Sequence, residues 1–434
     1  MKLKLYFAIL FPLVISISSA RESAPLPDGL EAYELTPAPT PDPATLKKGD
    51  RLAICGDSIT EQKMYSALME TYLTACQPEL QVEVRQYGWS GEQAGGFLKR
   101  MSNDVLRFKP TVATTCYGMN DFRYVPYQES IAAEYRENQN GIVTAFKQAG
   151  CKIILGSPGI IDTDRKADDG TQHSATTLNQ SLARFRNIGV EIAGAEEVGF
   201  ADVYRPMLVA NQMAKAKHGP NFKVAGGDGV HPGWTGQLIM AYGFLKSLGV
   251  NGDLGSVTVD EITGNATATG GHEIVSAKNG TISMRSSRLV FAPGPGPEDN
   301  DNSIRAGMAL VPFDEDLNRL TFKLTAPKAA EYEITWGNQS RKYTAAQVAA
   351  GVNLAGDFDD NPMVPAFKVL LESITKKQAY ETRQIKELAH GLEGGADMEG
   401  TFAVTEKARA LLVAKVLEAR QPVNHTLTVR GIQN

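Results

Sequence analysis

Between residues 49 and 250, short apolar runs alternate with segments of helical period. Arg51-Leu52-Ala53-Ile54-Cys55, Val82-Glu83-Val84-Arg85, Thr111-Val112-Ala113-Thr114-Thr115-Cys116, Cys151-Lys152-Ile153-Ile154-Leu155-Gly156 and Val198-Gly199-Phe200-Ala201-Asp202-Val203-Tyr204 read as strands. Residues 59–76 carry Met64, Leu68, Tyr72 and Leu73 at helical spacing, and residues 138–150 carry Ile142, Val143 and Phe146 before a stop at Gly150. Strands joined through helices pair in parallel, and a parallel sheet has to be covered on both faces. The expected fold class is therefore α/β, a three-layer α/β/α domain whose functional residues gather at the carboxyl ends of the strands.

Those ends carry a specific set of residues. Gly56-Asp57-Ser58-Ile59 follows the first run, Tyr87-Gly88-Trp89-Ser90-Gly91 the second and Tyr117-Gly118-Met119-Asn120-Asp121 the third, while Asp228-Gly229-Val230-His231-Pro232 precedes a helical pattern from Gly236 to Leu248. Singly, each reads equally well as a turn, a helix cap or a loop histidine, because Gly, Asp, Asn and Ser dominate such positions. Together and in this order they resemble the four blocks of the SGNH (GDSL) hydrolase family. The resemblance spans about residues 49–250 and implies that Ser58 is the nucleophile and His231 the general base, with Asp228 orienting the histidine. It also implies an oxyanion hole of the Ser58 and Gly91 backbone N–H groups and the Asn120 amide.

The chemistry asks for these residue types. A serine hydroxyl becomes a useful nucleophile when a neighbouring imidazole removes its proton. Attack on an acyl carbonyl then concentrates charge on one oxygen, where fixed donors lower the barrier. A carboxylate on the far ring nitrogen holds the tautomer and stabilises the imidazolium. Asp57, Trp89, Tyr117, Phe122 and Trp234, with Tyr124, are the candidate substrate-pocket residues; for the aromatic ones a sugar-stacking and a core role weigh about equally.

The remaining histidines, His173, His218, His272, His390 and His425, form no pair at i, i+4 spacing, and no Cys-x-x-Cys occurs. The expectation is neither metal nor cofactor. Cys55 and Cys116 fall within strands and read as small buried apolar residues. With Cys76 and Cys151 they allow three disulfide pairings, among which sequence does not choose. The formal net charge of −5 comes with no basic patch for nucleic acid.

Lys2 and Lys4 precede the apolar stretch Leu5 to Ile17, and Ser18-Ser19-Ala20 supplies small residues, so residues 1–20 read as a cleavable secretory signal without a lipid-anchoring cysteine. This places the mature protein in a periplasm or outside the cell, with no membrane insertion after cleavage. Residues 21–46 are rich in Pro, Ala, Glu and Asp and read as a linker or tether. The catalytic domain is assigned to 47–252 and an accessory region to 253–434.

In the accessory region, 253–343 is β-rich, with strand-like segments such as Ser256 to Asp260, Thr281 to Met284 and Arg288 to Phe291. Leu320 to Leu324 and Tyr332 to Trp336 suggest a hairpin, and Gly337-Asn338 a second turn into Lys342-Tyr343. Residues 344–420 are helical, and 424–430 form a last strand able to complete the β part. A buttress against the catalytic domain is favoured over a polysaccharide-binding module, because no aromatic cluster marks a binding face. The functional expectation is a secreted serine esterase acting on short-chain, acetyl-type esters. The family resemblance points further to carbohydrate esters, small or polymeric. The alternatives are a lipase or thioesterase-like acyl hydrolase, and an inactive carbohydrate-binding surface protein.

Overall fold

The computed structural model describes residues 25–42, 45–167 and 170–432. The expected secretory signal, residues 1–20, lies outside the described residues. Among the described residues, no helix is long and apolar enough to cross a membrane.

Strand β1 (Arg51–Gly56) runs into a single helical turn, α1 (Ser58–Glu61), and then α2 (Tyr65–Ala75). The chain continues through β2 (Glu83–Gln86), α3 (Ala94–Asp104), β3 (Val112–Cys116), α4 (Glu129–Gln148) and β4 (Lys152–Gly156). α5 (Ala175–Ala195), β5 (Gly199–Ala201), α6 (Tyr204–His218) and α7 (Trp234–Ser247) complete this half. The strands form one five-stranded sheet in the order β2-β1-β3-β4-β5, parallel throughout. All five residues of β3 are buried, as a central strand covered on both faces requires. The segment 59–76, which reads as one helix, is split: Lys63 sits at φ 57°, which ends α1 and redirects the chain into α2.

The second half contains β6 (Asp253–Asp260), β7 (Ala266–Ala268), β8 (His272–Lys278), β9 (Thr281–Ser286), β10 (Arg319–Thr325), β11 (Glu331–Trp336), β12 (Gln339–Thr344) and β13 (Val352–Asn353). Two long helices follow, α8 (Val364–Arg383) and α9 (Met398–Ala419), and the chain returns as β14 (Val423–Ile432). One sheet has the order β8-β9-β14-β11-β12 and the other β13-β10-β6-β7. The last strand is thus central, antiparallel to β9 on one side and to β11 on the other.

Three local expectations need correction. The segments 320–324 and 332–336 are no hairpin: β10 pairs in parallel with β6, while β11 joins the other sheet and makes its hairpin with β12. Alternation of apolar residues marks each strand but not its partner. Residues 288–291 are not a strand; Leu289, Val290 and Phe291 are buried without strand pairing, and Phe291 is fixed by the Asn318 side chain, which accepts its N–H and donates to its carbonyl. The described part of the Pro-rich stretch is a docked strap rather than a loose tether. Leu30 is buried, Asn187 takes the Thr36 N–H at 3.0 Å and donates to Glu34 O at 2.7 Å, and the buried Arg186 donates to Thr36 O. Prolines favour extension, and an extended backbone free of sheet partners offers its polar groups to side chains of α5.

Helices α8 and α9 cover the β2 edge of the catalytic sheet. An uncovered edge would leave backbone donors and acceptors open to another strand. Here Lys377 and Arg409 donate to Val84 O at 2.7 and 3.1 Å, and Glu381 accepts the Gln86 N–H at 3.1 Å. Lys377 also pairs with Glu70 at 3.0 Å and Glu381 at 2.8 Å, and Arg409 meets Glu381 at 2.7 Å. These are nearly buried charges, so removing one would strand its partners in a poorly solvated place, at roughly 3–5 kcal/mol. The accessory helices are thereby locked to the catalytic domain.

Candidate active site

Ser58 is the first residue of α1. Asp57 precedes it as N-cap, its Oδ1 accepting the Ile59 N–H at 3.0 Å. The cap fixes how the chain leaves β1 and where Ser58 points. Ser58 Oγ lies 2.8 Å from His231 Nε2, and His231 Nδ1 lies 2.7 Å from Asp228 Oδ2. The other carboxylate oxygen of Asp228 accepts the backbone N–H of Val230 at 2.9 Å and of His231 at 2.8 Å. Burial works against ionising Asp228, but the His231 N–H, the His231 ring and the Val230 N–H outweigh it and hold the carboxyl down at about 2. It is therefore an anion across the working range of a histidine base.

The loop carrying Asp228 is itself held from outside. Thr163 Oγ1 and Arg165 Nη1 donate to the Asp228 carbonyl at 3.1 and 2.9 Å. Neither residue has a motif to announce it; they lie 63 to 65 positions earlier in the chain, between β4 and α5.

Gly91 adopts φ 75°, a left-handed conformation open to glycine at little cost. Gly88 is required for another reason: a Cβ there would stand 2.3 Å from Glu61 N, so the loop after β2 can lie directly on α1. Asn120 Nδ2 donates to Glu92 O at 3.1 Å, which ties the end of β3 to the same loop and leaves the amide a second N–H. Asp121 accepts the N–H groups of Ala94 and Gly118 at 2.8 and 2.9 Å. Burial raises its carboxyl to about 6 against those hydrogen bonds. Burial likewise lifts Asp57 to about 7 despite its bond to Ile59, with Asp121 and Glu92 adding to the rise.

The pocket candidates divide. Tyr117 and Phe122 are core residues: Tyr117 is fully buried, its hydroxyl on Glu92 at 2.8 Å and its ring stacked on Phe97, and Phe122 packs on Phe185. A side chain that follows a buried strand turns inward as readily as outward, and sequence does not tell which. Asp57 is a buried cap. Trp89 and Trp234 are half-buried. Trp89 has the Arg100 guanidinium 4.9 Å and the Lys386 ammonium 5.3 Å from its ring centroid, so part of its π surface is already engaged. Tyr124 is half-buried, with Arg165 5.1 Å from its ring. The four cysteines are all free and buried.

Residues 54–239 match the model of the GDSL-like Lipase/Acylhydrolase family. An acetylxylan esterase of Geobacillus stearothermophilus is 23% identical over 222 residues, which are 46% of this chain and 94% of that protein. Among solved structures, a gut microbial diltiazem-metabolizing enzyme superposes with a TM-score of 0.69 at 22% identity, covering 90% of this chain and 100% of that one. That likeness is one of fold, and its coverage takes in the accessory region. The structure of the acetylxylan esterase Axe2 from G. stearothermophilus covers 48% of this chain and 97% of its own, at 23% identity and a TM-score of 0.40.

Proposed function

We propose, from the match of residues 54–239 to the GDSL-like lipase/acylhydrolase family, that the chain is an ester-hydrolysing serine hydrolase, a secreted esterase that removes short acyl groups, acetyl above all, from carbohydrates. The observation that carries the catalytic part is the continuous contact Ser58 Oγ to His231 Nε2 at 2.8 Å and His231 Nδ1 to Asp228 Oδ2 at 2.7 Å.

In this reading Ser58 Oγ attacks the ester carbonyl as its proton passes to His231 Nε2. Asp228 keeps the Nδ1–H in place and offsets the charge of the imidazolium. The oxyanion forms against the N–H groups of Ser58 and Gly91 and the free N–H of Asn120. Ser58 N suits this because the first N–H groups of a helix have no partner within it. The tetrahedral adduct collapses as His231 returns the proton to the leaving alcohol, giving an acyl-Ser58 enzyme. Water, deprotonated by His231, repeats the sequence and releases the acid.

The acetyl and carbohydrate parts are supported by the name of the acetylxylan esterase relative. Export to the periplasm or medium is supported by the basic and apolar pattern of residues 1–20. Initial rates on 4-nitrophenyl acetate and 4-nitrophenyl octanoate, beside the Ser58→Ala variant, test the activity. Acetate turnover well above octanoate, absent from the variant, is the expected result, followed by acetate release from acetylated polysaccharides. Preference for octanoate would replace the acetylesterase by a lipase-like enzyme.

A further inference from the structure

We propose that Lys386, delivered by the accessory region, is a positioning residue for the oxyanion loop and acts through Glu61; this rests on the roles just given to Ser58, Gly91 and Asn120. The loop from Tyr87 to Gly91 follows β2 and has to present the Gly91 N–H at a fixed place. On one side Tyr87 N and Trp89 N donate to Ile54 O at 2.8 Å and Gly56 O at 3.0 Å, extending the β1 pairing. On the other side the Glu61 carboxylate accepts both the N–H of Ser90 and its hydroxyl, the latter at 2.6 Å.

Glu61 closes the helical turn that Ser58 opens. Its side chain thus ties the nucleophile's own turn to the residue next to Gly91. Lys386 Nζ reaches the two carboxylate oxygens at 2.9 and 2.8 Å, across 325 positions of sequence. The pair is not a solvated surface contact: the side chains are 24% and 20% exposed, against 68% and 67% for Lys376 and Glu372 on the outer face of α8. Partial burial makes a cation beside Glu61 matter more than it would in water. Burial disfavours the Glu61 anion, yet Lys386 and Ser90 together hold its carboxyl below the ordinary range.

The delivery is local and specific. After α8 the chain makes a π-helical turn, Gln384–Ala389, an irregularity that recurs at functional sites. Lys386 lies in this turn and His390 ends it. His390 Nε2 meets the buried Asp104 carboxylate at 2.8 and 2.9 Å, and its ring stands edge-on to Trp89 at 5.1 Å. The accessory region therefore grips both Trp89 and, through Glu61, Ser90. Gly91, with no side chain and a positive φ, is the residue in this loop with the least to hold it. A donor shifted by a fraction of an ångström loses part of the stabilisation whose full removal is worth about 10²–10³ in rate.

The test is kcat and KM for 4-nitrophenyl acetate in Lys386→Met, Lys386→Arg, Glu61→Gln and the Lys386→Met/Glu61→Gln double variant, with thermal unfolding of each and Ser58→Ala as reference. We expect Lys386→Met to lose about 10-fold in kcat with KM within about twofold, and Lys386→Arg to return to within about threefold of the parent. In the Glu61→Gln background the Lys386 substitution should remove nothing further, because its route to the loop is already gone. Native kcat in a folded Lys386→Met protein would overturn the proposal, as would a second full loss in the double variant. Should Lys386→Met fail to fold, Lys386→Gln is judged by the same criteria. Turnover that survives Ser58→Ala would instead remove the reading of the site, and this proposal with it.

Discussion

Among the described residues, the chain sets a serine against histidine in two places. At the carboxyl end of the parallel sheet, Ser58 faces His231, whose ring is 36% exposed and backed by the Asp228 carboxylate. In the accessory β region, Ser286 is fully buried between His272 Nδ1 and His425 Nε2, both at 2.7 Å. There the Trp336 indole N–H donates to His425 Nδ1 at 3.0 Å, so His425 carries its proton on Nε2 and donates to Ser286, which donates to His272 Nδ1. His272 Nε2–H ends the chain on Leu254 O at 3.0 Å. Every ring nitrogen has one role, and no carboxylate stands among these partners.

The difference lies in what surrounds the imidazole. A base must accept a proton and survive as a cation, which Asp228 allows. The buried pair cannot: burial pushes His272 to about 4, with the Leu254 bond opposing and Arg288 assisting, and burial pushes His425 to about 4 with help from His272. The same two residue types thus make a candidate catalyst in one place and a polar bolt between strands β8, β9, β14 and β11 in the other.

The sharpest break in this comparison is substitution of the two serines. Ser58→Ala should lower kcat by about 10⁵–10⁶, measured as ester hydrolysis, while Ser286→Ala leaves kcat unaltered. Asp228→Asn should lower kcat by about 10⁴ in a folded protein, since the wrong tautomer would then be held on His231. Full activity in that variant would sink the role given to Asp228. Asn120→Ala comes next, at about 10²–10³ in kcat if its amide is an oxyanion donor.

Acid probes the bolt. An unfolded histidine takes up a proton below its ordinary 6.5, whereas His272 and His425 in the folded chain do so only near 4. At these two sites the unfolded state binds more protons in that window, so the pair's contribution to stability is intact above pH 6.5 and falls as pH drops toward 4, by about 3 kcal/mol for one such histidine. Urea unfolding at pH 7.5 and 4.5, read as the stability difference between the parent and a His272→Gln variant so that the opposing rise of the buried Asp57 and Asp121 cancels, checks this; a difference that is the same at both pH values would remove the acid sensitivity given to the pair. The smallest effect is that of Ser286→Ala on stability, about 1–3 kcal/mol from the unpaired ring nitrogens it leaves.

Much of the fold is legible in the chain. β1 ends where the apolar run meets Gly56, β3 and β4 coincide with apolar runs, and the last strand announces itself by its β-branched residues. Ser58, Gly91, Asn120, Asp228 and His231 are singled out by the resemblance of the four blocks, in their order, to the SGNH family; taken one at a time, each block reads as a turn, a cap or a loop histidine. Tyr117 and Phe122 mislead because an aromatic residue beside a motif reads the same whether it faces a cleft or the core. Arg165, Thr163 and Lys386 are invisible, being charged or polar residues in segments with no pattern of their own.

What the sequence by itself determined is therefore whatever depends on dihedral preference and periodicity over a few residues: the strands, most helices, the turns at their ends and the order of the reactive groups. Only the tertiary structure decided which strands pair, as when β14 enters the middle of a sheet and β10 turns away from β11. It alone brought the strap onto α5, Lys377 and Arg409 to the β2 edge and Lys386 to Glu61. Such contacts join residues up to 325 positions apart. They exist because each half of the chain buries surface and satisfies polar groups that the other leaves open, a condition on packing in space that no local pattern encodes.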